Sequence, residues 1–243
     1  MTALQHPVDQ QGFAILYGAF SPDRAACLAS DLAQALPHAG HAVLQSRGQV
    51  YGVRNLIDVW PAALAVAQDA ALGEVLSGLL GEGFGLVRSL FFDKPPGRTW
   101  SLPWHRDLTI AVREPRGSAE GFRRPTVKAG IPHVEAPAWL LRSMLTLRVA
   151  LDDVGADNGP LLVIPGSHLD EPDDMPSEPD LAARTRAIHM HAGDALLIRP
   201  LLLHRSGPSK GGTPRHRRTL HFEFAAGLPL PGGLEWHRFL RVS

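Results

Sequence analysis

Cysteine is nearly absent: Cys27 is the only one in 243 residues. Neither a disulfide framework nor a thiolate zinc site is possible within one chain, and a reducing cytoplasm is the expected compartment. Charge of either sign is not in excess, because 24 Lys and Arg balance 24 Asp and Glu. No overall field draws the chain to nucleic acid or to an anionic membrane. Long apolar runs are also missing; the longest, over residues 195–203, is broken by Arg199 and Pro200. The first ten residues lack a basic segment followed by an apolar one, so neither export nor a membrane span is expected. There is no internal repeat. What is present is enough apolar material, 44% of the residues, to bury a substantial core. One domain over residues 1–243 is the better prior.

Residues 12–17 read as a short buried strand. Ser21, Pro22 and Asp23 then supply an N-cap, a proline for the first helical turn and an early acid. A helix over residues 22–36 follows, with Ala25, Leu28, Leu32, Ala35 and Leu36 at helical spacing and Cys27 packed nearby rather than reactive. A second helical block covers 61–80, interrupted near Gly73. From residue 84 the period changes to that of strands, over 84–92, 144–151, 161–164, 195–203 and 217–225, separated by turn signals such as Asp157-Asn158-Gly159. Helices over about 20–82 followed by many short strands imply a mainly β fold with flanking helices, built on a double-stranded β-helix (jelly-roll, cupin-like) core that the helices buttress. Residues 113–137 look loop-like, and so long a connection is expected to work as a substrate lid, over about 113–140. Residues 171–179 form an acidic, proline-rich surface loop.

The informative polar residues are His105, Asp107 and His204. Two imidazoles and a carboxylate can hold a divalent iron on one octahedral face and leave the other face open. In an extended segment residues i and i+2 share a face, so His105 and Asp107 aim at one point. Taken alone, a His-x-Asp pair among 12 histidines is equally a surface pair. Downstream, Arg217, Thr219, His221 and Glu223 alternate with Arg218, Leu220, Phe222 and Phe224. Facing into a barrel, Arg217 could fork onto a carboxylate with Thr219 adding a hydroxyl; facing out, the same residues would be a solvated edge. Arg215 to Arg218 could be a basic turn, and the neutral net charge argues against a nucleic-acid patch. His189 and His191 repeat the two-residue spacing but precede the Gly193-Asp194 turn with no carboxylate at ligand spacing, and read as structural or exposed. His168 reads as a corner residue.

Taken together, Leu90-Phe91-Phe92-Asp93-Lys94-Pro95-Pro96, Trp104-His105-Arg106-Asp107-Leu108, Asp157-Asn158-Gly159, Ile164-Pro165-Gly166-Ser167-His168 and the run from His204 to Phe224 resemble, in order and over most of the chain, the phytanoyl-CoA dioxygenase family of Fe(II)/2-oxoglutarate oxygenases. The resemblance implies Fe(II), 2-oxoglutarate and O2 as cofactor and co-substrates. Its metal ligands fall on His105, Asp107 and His204 and its co-substrate anchor on Arg217, with Ser206, Thr219 and Leu90 beside the co-substrate. Arg106 stands where Gln is frequent, and Arg148 where the phytanoyl-CoA hydroxylase has an aromatic residue. These departures put a coenzyme A thioester in doubt and leave the metal site untouched.

The implied activity is hydroxylation of an unactivated C–H in a small molecule, with release of succinate and CO2. Asp107 bears on the outcome, since a non-ligating residue there would free a position for chloride and point to halogenation. The substrate, anionic or aromatic, is expected to meet Arg106, Lys128, His133 and Arg148, with Arg113, Arg116, Arg123, Arg124 and Trp139 nearby; a solvated charged loop is the plainer alternative. Two other classes stay open at this point: a non-catalytic metal-binding jelly roll, and a cupin-like isomerase or hydrolase that does not use 2-oxoglutarate.

Overall fold

The computed structural model describes residues 3–46, 49–97, 99–114 and 119–242; Arg116 lies outside them. Helix α1 (Gln5–Gln11) leads into strand β1 (Phe13–Leu16) and helix α2 (Pro22–Ala35). Ser21 caps α2 by accepting from the Arg24 amide, and Ala25, Ala29 and Leu32 are its buried positions. Cys27 is exposed, on the outer side of that helix, rather than packed. Strands β2 (Val43–Ser46) and β3 (Gln49–Arg54) precede helices α3 (Leu56–Val59), α4 (Ala62–Ala67) and α5 (Ala70–Leu80). The break in the helical block falls at Gln68 and Asp69, not at Gly73. Gln68 ends one helix and Asp69 caps the next, its carboxylate accepting from the Ala71 amide, while Gly73 sits inside α5.

The rest is mostly strand: β4 (Gly85–Phe92), β5 (Leu102–His105), β6 (Thr109–Ala111), β7 (Arg123–Lys128), β8 (Ile131–Glu135), then helix α6 (Ala138–Arg142), β9 (Met144–Ala150), β10 (Leu161–Val163), helix α7 (Glu178–Arg184), β11 (Arg186–Ile188), β12 (Ala195–Ile198), β13 (His204–Ser206), β14 (Thr219–Ala225) and β15 (Leu240–Arg241). The major sheet runs β1-β12-β9-β14-β4-β3-β2 with β15 on β4, and the minor sheet runs β11-β10-β13-β5. A third sheet, β6-β8-β7, replaces the loop expected over 113–137. Its β7 is exposed along nearly its whole length, so no apolar alternation marks it in the sequence. The tight turn into β8 is made by Ala129 and Gly130 at φ 50° and 77°, the left-handed pair that a two-residue hairpin needs.

Two-residue periodicity decides which way the site faces. On β14, Leu220, Phe222 and Phe224 join Leu145, Leu147 and Val149 of β9 and Leu86 and Phe91 of β4 in one core with Leu32, Leu56, Leu72 and Leu76 of the helices. Burial of each such side chain is worth roughly 1.5–3 kcal/mol. The helical layer therefore claims the apolar face, and Thr219, His221 and Glu223, all buried, are turned inward. A bulge keeps β4 in step: Arg88 lies opposite Glu223 and Leu86 opposite Phe224, with Val87 as the extra residue.

Candidate active site

Strands β5 and β13 pair so that His105 lies opposite His204, with ring centroids 4.3 Å apart. Asp107 follows β5, its amide donating to Pro200 O at 2.9 Å. One Asp107 carboxylate oxygen is 3.9 Å from His105 Nε2 and the other 3.7 Å from His204 Nε2. One potential ligand atom from each of the three lies within 4.8 Å of the others. The ring orientation is fixed by the backbone. His105 Nδ1 donates to Pro103 O and His204 Nδ1 to Leu202 O, both at 2.8 Å, which leaves each Nε2 lone pair directed at the shared point. Burial opposes ionisation of Asp107, but the fields of His204, His221, His105 and Arg148 outweigh it and hold the carboxyl well below the usual range. Burial, with His105 and Arg148, pushes His204 down to about 4 against the pull of Asp107, so it is a neutral, ligand-competent imidazole at pH 7. The donor set suits Fe(II).

Beside this centre is a buried cationic pocket. The Arg217 guanidinium donates to Gly159 O at 2.7 Å and Ser206 Oγ at 3.3 Å, while its buried Nε has no partner among the described residues. Lys94, 0% exposed, donates to the same Ser206 Oγ at 2.8 Å and to Gly207 O. The ring of Trp100 lies 4.6 Å from Lys94 Nζ and 5.7 Å from the Arg217 guanidinium carbon. Burial and the neighbouring Arg217 and Arg148 bring the Lys94 ammonium down to about 6. The Arg217 guanidinium and the Lys94 amine, whose protonation a bound carboxylate would favour, share one hydroxyl and leave a donor unused, a cradle suited to an anion. Gly159 is required there: at φ 69°, an added Cβ would stand 2.6 Å from Gly207 O and 2.8 Å from Lys94 Nζ. Leu90 and Thr219 are buried on the same inner face.

A second polar wall continues across the major sheet. Arg54 lies opposite Leu90, Leu90 opposite His221, and His221 opposite Arg148. In the next row Arg88 pairs with Glu223 at 3.1 Å, and His221 Nε2 also donates to Glu223 at 3.1 Å. The β7–β8 hairpin closes on this wall. Lys128 Nζ donates to Thr109 Oγ1 at 2.8 Å, and His133, buried, uses Nδ1 on Ile131 O at 2.9 Å and leaves Nε2 unpartnered. Burial lowers His133 to about 4, so it too is neutral.

Of the expected substrate contacts, then, Lys128, His133 and Arg148 face one region and Arg106 does not. The Arg106 guanidinium is turned into the protein and donates to the carbonyls of Leu201, Pro172, Asp174 and Ser167. It is a structural clamp, tying the metal loop to residues 167–174. Arg113 is paired with Glu235, Arg123 with Glu135 and Asp173, and Arg124 with Glu135, all at the surface. Trp139 is exposed. His189 and His191 are exposed as expected, and buried His168 bonds Asp9 O at 3.1 Å. Lys94, Arg54 and Arg88 escaped sequence reasoning. Lys94 sits in a stretch that reads as a strand end, and the one signal for Arg88 is a charge inside an otherwise apolar strand.

A family model described as phytanoyl-CoA dioxygenase (PhyH) matches residues 8–217. The ectoine dioxygenase of Sphingopyxis alaskensis is 28% identical over 166 residues, 66% of this chain and 47% of that protein. The match thus spans about half the length of that curated relative. Among solved structures, EctD from S. alaskensis with 2-oxoglutarate and 5-hydroxyectoine superposes with a TM-score of 0.70 at 24% identity, over 91% of this chain and 74% of that one. The non-heme alpha-ketoglutarate-dependent carbocyclase SnoK from nogalamycin biosynthesis gives 0.71 at 16% identity, over 100% and 97%. Both likenesses are of fold. No helix among the described residues is long and apolar enough to cross a membrane.

Proposed function

We propose, for a chain that belongs to the phytanoyl-CoA dioxygenase family of Fe(II)/2-oxoglutarate-dependent dioxygenases, that it hydroxylates a C–H bond of a small molecule, releasing succinate and CO2. His105, Asp107 and His204 would hold the iron. Arg217, with Ser206 and Lys94, would hold the distal carboxylate of 2-oxoglutarate, Thr219 and Leu90 completing the wall. Bound there, iron and 2-oxoglutarate supply the oxygen activation and the oxidising power. The protein's own residues do the rest. Pro103 O and Leu202 O orient the imidazoles, Asp107 stays ionised to balance the metal charge, and the Trp100 ring covers the anchoring cations. A carboxylate at position 107 fills the place a halide would need, which favours hydroxylation. The β7–β8 hairpin, through Lys128 and His133, serves as the substrate lid, and residues 1–243 form one domain with the helices bracing the sheet.

The observation that carries this reading is the convergence of three ligand atoms within 4.8 Å of one another beside the buried Arg217–Lys94 cradle. Protein reconstituted with Fe(II) in air is expected to convert 2-oxoglutarate slowly to succinate. His105→Ala should abolish that conversion, and Arg217→Ala should raise the 2-oxoglutarate requirement about 10- to 100-fold, the loss of one charged bidentate contact being worth roughly 1.5–3 kcal/mol. Succinate formation that is indifferent to both changes would refute the assignment.

A further inference from the structure

The cations of the inner wall outnumber the acids even when the oxygenase reading is filled in. Iron would meet Asp107 and the chelating carboxylate of 2-oxoglutarate, and Arg217 the distal carboxylate. Arg88 is matched by Glu223 at 3.1 Å. Arg54 and Lys128 then remain, and among the described residues neither makes an ion pair; Lys128 has only the Thr109 hydroxyl. Both are half-buried. Parity places Arg54 on the inner face, since its neighbour Val53 packs in the helix-side core and Arg54 itself lies opposite Leu90. Lys128 is close enough to Arg54, Arg88, Glu223 and Asp107 to feel the charge of each. Arg148, also without an ion pair among the described residues, adds positive field nearer Asp107. Half-buried like charges with one shared acid are costly unless a ligand neutralises them. The same wall holds unpartnered acceptors, His133 Nε2 and His221 Nδ1, and the Thr146 hydroxyl.

We infer that the primary substrate is a small molecule bearing an oxyanion, a carboxylate or a phosphate, which seats between Arg54 on β3 and Lys128 on β7 and presents the rest of its skeleton toward His105, Asp107 and His204. The inference rests on the oxygenase reading for the fate of the substrate but not for the seat itself. Arg54 selects the anion from the sheet side and Lys128 from the hairpin side, so binding draws the hairpin down over the metal. The excess of positive charge disfavours a cationic substrate.

Thermal unfolding with four probes tests it: benzoate, phenylphosphonate, neutral benzamide and cationic benzylamine, each added to metal-free protein and to protein holding Fe(II) and saturating 2-oxoglutarate under nitrogen. Benzoate or phenylphosphonate should raise the midpoint of the wild type, whichever responds identifying the preferred oxyanion. Arg54→Gln and Lys128→Gln should each demand at least tenfold more of it for the same shift, and benzamide and benzylamine should have little effect. No response to either anion, an equal response in both variants, or equal stabilisation by benzamide or benzylamine overturns the inference. Failure of the oxygenase reading is seen separately, as absence of a visible chelate band when Fe(II) and 2-oxoglutarate are mixed with wild type.

Discussion

Among the described residues Lys94 has no carboxylate beside it, its partners being Ser206 Oγ, Gly207 O and the Trp100 face, and burial with two neighbouring guanidiniums lowers it to about 6. Between that value and the ordinary 10.5 the unfolded chain binds more protons than the folded one, so this group makes apoprotein stability rise with pH across that window. An arriving carboxylate restores the proton. Calorimetric titration of 2-oxoglutarate near pH 8, in buffers of different ionisation enthalpy, should show proton uptake that disappears in Lys94→Met. Arg106 makes a contrasting case. Arg106→Ala leaves four carbonyls, two of them buried, without its donors and should cost about 2–4 kcal/mol in urea unfolding while leaving 2-oxoglutarate affinity unchanged. Sequence spacing pointed to Arg217 because the strand around it alternates. Position 106 has no comparable signal: which way its side chain turns depends on loop 167–174, far away in the chain.

Elements were legible where one face is buried and the other is not. Strands β4, β9 and β14 and helix α2 announce themselves by period and caps. The β7–β8 hairpin does not, because β7 is exposed and its pairing is set by β8, whose own apolar positions look inward. The short strand β5 is read from the two-residue spacing of His105 and Asp107 rather than from any pattern, and β13 carries no signal of its own. Turn chemistry matters equally at the other end of the pocket, where Gly159 lets Lys94 and Gly207 approach. Gly159→Ala should cost about 1–3 kcal/mol of stability from the left-handed backbone alone, and displace Lys94 and Arg217, both of which touch this turn. A variant that keeps wild-type stability and co-substrate affinity would show that the turn relaxes freely.

At the scale of the molecule, a helical layer takes one face of the major sheet, so the polar residues of the other face are shut between two sheets. That enclosure sets the acid limit of the apoprotein. His133 and His204 are each held down to about 4 by burial, so between their ordinary 6.5 and 4 the unfolded chain takes protons the folded one refuses. Stability present at pH 7 is lost as pH falls through that window, by up to about 3 kcal/mol for one such group. His133→Leu should flatten the fall in stability between pH 7 and pH 5. The sequence alone could predict the layered architecture from helices followed by strands. It could not show that Arg54, Arg88 and Lys128, from three separate strands, gather around one acid.

The most direct test of the metal and co-substrate assignment is an anaerobic titration of apoprotein with Fe(II) and 2-oxoglutarate, following the weak visible charge-transfer band of the chelate. The assignment predicts a band in the wild type that vanishes in His105→Ala and needs more 2-oxoglutarate in Arg217→Ala. A folded, iron-loaded wild type that shows no band, or a band unaltered in both variants, would contradict it.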